Sequence, residues 1–104
     1  MIALENGILK SSGKTWELLH SNSSAVEHGQ HLILQITPKE NDPTEEEEAE
    51  LMGLSIKLAK KYASEPGRYR VAKNGAAVCT QPHIHIHIIL PAGEDKLPRL
   101  VARA

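Results

Sequence analysis

A chain of 104 residues favours one compact domain spanning residues 1–104. Its charges nearly cancel, 12 Lys and Arg against 13 Asp and Glu, so no global field recruits a nucleic-acid polymer or a membrane surface. No Phe, one Trp and two Tyr leave the core to Leu, Ile, Val and Ala, and the single Cys79 cannot form an internal disulfide. "GILKSSGKTWELLHS" reads as two short strands, Ile8–Lys10 and Thr15–His20, around the turn-forming residues 11–14. "SNSSAVEHGQ" is loop, because Ser and Asn compete for backbone hydrogen bonds and Gly29 permits a bend. "HLILQIT" (31–37) is β-branched and apolar enough for a buried strand, stopped by Pro38.

The long helix is expected over 44–64. Asp42 or Thr44 can cap it, Pro43 suits its first turn, and Glu45 to Glu48 match the positive end of its dipole. Leu51, Ser55, Leu58 and Tyr62, flanked by Met52, Ile56, Ala59 and Ala63, form an apolar stripe at helical spacing. Lys57, Lys60 and Lys61 suit the last turns, and Pro66-Gly67 ends the element. The acidic run is read as a solvated helix start rather than a partner-binding patch. "RYRVAKN" (68–74) alternates like a strand, Asn74-Gly75 begins a turn, and "HIHIHIIL" (83–90) is the last strand. The expected class is therefore α+β: an antiparallel sheet of about five strands with one main helix on one face.

No segment approaches the roughly 18 apolar residues of a membrane span. The stretch "MIALENGILK" lacks the basic-then-apolar order of a secretory signal. With the lone cysteine, this fits a reducing cytoplasm.

The chemistry is written in "TQPHIHIHIILP". Alternate residues of a strand share a face, so Ile84, Ile86 and Ile88 should lie under the helix and His83, His85 and His87 should line the other face. One buried histidine is an ordinary satisfied polar group. Three in a row each need partners, and none packs as well as Val or Leu. Metal binding is one reading, because His-x-His on a strand can aim two ring nitrogens at one ion. Three same-face residues span about 13 Å, however, at roughly 3.3 Å per residue, so a further ligand such as His31 would be needed. Nucleophilic catalysis is the second reading. Imidazole attacks phosphorus and leaves again, titrates near pH 6.5, and can donate to the oxygens that gather charge.

At these residues the chain resembles the histidine-triad (HIT) superfamily of nucleotide hydrolases and transferases. "HIHIHII" matches the family's His-φ-His-φ-His-φ-φ, with Asn74 and Thr80 ahead and Pro91 behind. "HGQHLILQITPKE" is similar to its Gly-His-φ-φ-φ-φ-Pro-Lys segment, with the helix following in order. The resemblance implies a HIT-like fold and a covalent nucleotidyl-histidine intermediate on His85. It further implies that the backbone around His83 orients the His85 ring, that His87 contacts phosphate oxygens, and that His31 buttresses the triad. Asn74 and Thr80 would hold phosphate or ribose, with Gln81 a further candidate contact. No metal or other cofactor is implied. The partners implied are a nucleotide, such as a phosphoramidate, and a second copy of the chain, paired through 68–73 and the adjacent helix. Cys79 stands where the family usually carries glutamine, and the N-terminal stretch is unlike the family's. A module that binds nucleotides without turnover is therefore a third reading. Cys79 itself reads as an inert loop residue rather than a nucleophile, Trp16 as core rather than a base-stacking platform, and His20 and His28 as surface groups.

Overall fold

The computed structural model describes residues 2–75 and 83–97. Its strands are β1 (Glu5–Ile8), β2 (Thr15–His20), β3 (Gln30–Ile36), β4 (Arg70–Lys73) and β5 (His85–Leu90), with one long helix, α1 (Glu45–Tyr62), between β3 and β4. The five strands form one sheet in the order β1-β2-β3-β5-β4, every neighbouring pair antiparallel. Both β3 and β4 run opposite to β5, so they run parallel to each other. The helix is thus the crossover between two like-directed strands, and the last strand slots between them.

Parity decides the two faces. Leu32, Leu34 and Ile36 of β3 share a face with Ile86, Ile88 and Leu90 of β5 and with Trp16 and Leu18 of β2, and all are buried. They meet Leu51, Leu58 and Ala59 of α1 in a single apolar cluster. Each such aliphatic side chain contributes roughly 1.5–3 kcal/mol over an exposed one. Ser55 is fully buried in the same stripe, and its hydroxyl donates to the Met52 carbonyl at 2.6 Å, which satisfies it without a partner from the sheet. Ile56, expected beside that stripe, is instead 40% exposed at its margin.

The first strand lies earlier than Ile8–Lys10. Leu9 leaves it to plug the core, and a turn closes with Leu9 N–H donating to Lys14 O and Gly13 N–H to Leu9 O, both at 2.9 Å. Glu50 of the helix accepts from the Lys10 and Ser11 N–H groups at that turn, at 2.6 and 3.0 Å. Trp16 is core. Its ring lies across Gly7, where a Cβ would come within 2.7 Å of it.

Thr44 is the helix cap, with the reciprocal bonds of a capping box: its hydroxyl accepts from Glu47 N–H, and Glu47 Oε1 accepts from Thr44 N–H. Pro43 therefore precedes the cap instead of opening the first turn. The Ser12 hydroxyl, the Thr44 backbone and the Lys14 ammonium hold the Glu47 carboxyl down at about 2. The helix stops at Tyr62 because Ala63 is already extended, with ψ 141°. No helix among the described residues is long and apolar enough to cross a membrane.

Candidate active site

The face opposite the helix carries the other parity: His31, Ile33 and Gln35 of β3 stand across from Ile89, His87 and His85 of β5. Three imidazoles meet there. The His85 and His87 rings stand edge-on at 4.8 Å between centroids, and the His31 and His87 rings are tilted at 5.1 Å. Two of them come from one strand at a two-residue spacing. The third comes from the neighbouring strand, two residues along from Ile33, the partner of His87.

Their hydrogen bonds fix which nitrogen carries each proton. A backbone N–H can only donate, so His31 Nδ1 accepts from Ala25 N–H at 3.0 Å and the proton of neutral His31 sits on Nε2. That Nε2–H donates to His87 Nδ1 at 2.9 Å, which places the His87 proton on its own Nε2. A carbonyl can only accept, so His85 Nδ1–H donates to His83 O at 2.9 Å and His85 Nε2 keeps its lone pair. In the neutral rings, then, His85 carries a lone pair at Nε2 and His87 a proton at Nε2. Burial, and next the neighbouring His85, push His31 below the usual imidazole range; burial, His85 and His31 do the same for His87. Both shifts favour these neutral forms.

The loop before β3 is folded around this cluster by a carboxylate. Asp95, after β5, accepts from the N–H groups of Glu27, His28, Gly29 and Ala92 at 2.7–3.2 Å. Burial opposes its ionisation, but the backbone donors of Ala92, His28, Gly29 and Glu27 prevail and hold its carboxyl at about 2. Gly29 is obligatory in that loop, since a Cβ there would fall 1.8 Å from the Leu90 carbonyl oxygen. The clamp holds residues 27–29, and two residues before them lies the Ala25 N–H that orients His31. Sequence reasoning missed Asp95. Its only signal was an acidic residue shortly after a strand-ending Pro-Ala-Gly, which many turns share.

His83 departs from the expected row. The strand begins at His85, and His83 lies ahead of it with its ring turned to the end of β3. Its Nε2–H donates to the Ile36 carbonyl, and its Nδ1 lies 3.4 Å from Asp42 Oδ1. Ile84, also ahead of the strand, is half-buried and not part of the fully buried core. Asn74 is exposed one residue past β4, whose last residue Lys73 pairs with Ile86. Cys79, Thr80 and Gln81 lie outside the described residues. His20 and His28 are exposed. Beside His85, Gln35 donates to Glu17 Oε1 at 3.0 Å, adding a polar pair on the same face. Among the described residues no group of three or more His, Cys, Asp or Glu is arranged to hold a metal ion.

Fold and site together define a small α+β protein with a cluster of three imidazoles on the sheet face opposite its helix. Comparison with protein-family models, with curated proteins and with solved structures finds no match for this chain.

Proposed function

We propose that the protein is a HIT-like nucleotide hydrolase or nucleotidyl transferase that works through a covalent intermediate on His85. The observation that carries this reading is the opposed protonation of two neighbouring rings: His85 presents a lone pair at Nε2, and His87 presents a proton at Nε2. In a nucleoside phosphoramidate, His85 Nε2 attacks the α-phosphorus and the bond from phosphorus to the leaving nitrogen breaks. The departing amine takes the bonding electron pair and a proton from solvent, while His87 Nε2–H donates to the non-bridging phosphate oxygens that gather charge. Water then attacks the phosphorus of the nucleotidyl-histidine, the bond to His85 Nε2 breaks with its electron pair returning to the ring, and the water's proton passes to solvent. Nucleoside monophosphate leaves and the His85 ring returns to its starting tautomer. A transferase outcome replaces that water with another acceptor.

The chemistry uses no metal or organic cofactor. His31 keeps His87 in the donating tautomer, and Asn74, with Thr80 and Gln81, contacts phosphate or ribose. The protein acts in the cytoplasm as a homodimer joined through β4 and the adjacent helix, β4 being an edge strand of the sheet. The test is turnover of an adenosine phosphoramidate by wild type, His85→Ala and chelator-treated wild type. The reading expects loss with His85→Ala and full activity after chelation. Activity lost with chelator and restored by zinc would move the assignment to a metal centre.

A further inference from the structure

The carbonyl that orients the His85 ring belongs to a residue the sheet does not hold. Pairing of β5 ends at Gln35↔His85 on one side and at Lys73↔Ile86 on the other. His83 lies beyond both. Among the described residues its anchors are those of its own ring, Nε2 to the Ile36 carbonyl and Nδ1 to Asp42 at 3.4 Å. Asp42 stands two residues before the helix cap Thr44. That cap is locked to Glu47, which is paired in turn with Lys14 at 3.0 Å. Both capping candidates of the sequence precede one helix, and only Thr44 is used as a cap, so Asp42 is left to face His83.

We infer that Asp42 is a positioning residue: with the His83 ring protonated at both nitrogens, Nε2–H on the Ile36 carbonyl and Nδ1–H facing the Asp42 carboxylate, the pinned ring fixes the His83 carbonyl and through it the reactive tautomer of His85. The helix start and the nucleophile are thereby mechanically joined, although Asp42 touches neither substrate nor the His85 ring. The inference rests on the proposed role of His85 for its kinetic consequence, but not for its structural one. A His85 ring released from the carbonyl redistributes its proton between Nδ1 and Nε2, and every molecule protonated at Nε2 has no lone pair to offer phosphorus.

The experiment is nitrogen NMR of histidine-labelled protein, reading the Nδ1 and Nε2 signals of His85 in wild type, Asp42→Ala, Asp42→Asn and Asp42→Glu. Wild type should show His85 protonated at Nδ1. Asp42→Ala should shift it toward a mixture of tautomers, Asp42→Asn should do so less, and Asp42→Glu should restore the wild-type pattern. Phosphoramidate kcat should fall roughly tenfold in Asp42→Ala with KM nearly unchanged, since misorientation of a reacting group acts on the chemical step. Asp42 is exposed, and unchanged thermal unfolding of Asp42→Asn shows that the fold persists. An unaltered His85 signature in both Asp42→Ala and Asp42→Asn overturns the inference. If wild type turns over no phosphoramidate while the tautomer shift is seen, the positioning role stands and the proposed activity falls.

Discussion

Acidifying the protein should expose the cost of its buried imidazoles before any carboxylate is protonated. His31 and His87 are depressed in the folded state, chiefly by burial, so the unfolded chain binds protons at these positions more readily than the native one. Their contribution to stability is fully present above the unfolded histidine value of about 6.5 and is lost as pH falls through the lower folded values. Each differential proton is worth about 1.4 kcal/mol per pH unit, so the pair can remove at most about 2.7 kcal/mol per unit in that window. For a domain of this size, about 1 kcal/mol corresponds to roughly 4–8 °C in Tm. Urea unfolding followed between about pH 7.5 and 5.5 should therefore show a steep loss, and the same titration of a His31→Gln, His87→Gln double variant should be markedly flatter. Glu47 and Asp95, held near 2, act in a separate window: their contribution is present above the ordinary carboxylate range and is lost only as pH falls below it. Equal slopes for wild type and the double variant would refute the idea that these two rings are held neutral by burial.

Gly29→Ala should destabilise by about 2–3 kcal/mol in urea melts, because its Cβ meets the Leu90 carbonyl oxygen at 1.8 Å and the backbone of two segments must part. Thr44→Ala should cost about 1 kcal/mol by opening the capping box, without moving the His31 and His87 signals in nitrogen NMR. His31→Ala should slow phosphoramidate turnover more than it raises KM, since it frees the tautomer of His87 without touching substrate; an effect confined to KM would count against this role. Sedimentation at micromolar concentration should give a dimer, and a monomer there would exclude pairing through β4 as the working form.

The parts of this fold legible in the sequence are those governed by short periods. The two-residue alternation of "HIHIHIIL" separates Ile86 and Ile88 from His85 and His87, and the 3/4 spacing of Leu51, Ser55 and Leu58 picks out the buried helix face. Element ends were less legible, because tertiary contacts set them. Leu9 leaves its strand to fill the core, and the His83 ring is drawn to the Ile36 carbonyl. The site divides in the same way. Histidine spacing marks His85 and His87, and the family resemblance marks His31. The partners that fix their protons, Ala25 N–H, Asp95 and Asp42, are brought in by loops whose course no local pattern encodes. Nothing in the sequence alone distinguishes Asp42 as a spare cap from Asp42 as a histidine partner. Only the placement of Thr44 at the cap separates them.

The central claim, that His85 becomes covalently nucleotidylated, is tested most directly by intact-mass and peptide mass spectrometry. The protein is mixed with an adenosine phosphoramidate and quenched within milliseconds to seconds under alkaline, denaturing conditions, because the phosphorus–nitrogen bond of such an adduct is acid-labile. The account predicts a mass gain of one adenylyl group mapped to His85, absent from His85→Ala and longer-lived in a His87→Ala variant that lacks the donor to the phosphate oxygens. Substrate turnover with no adduct at any quench time, or an adduct mapped to another residue, would contradict it.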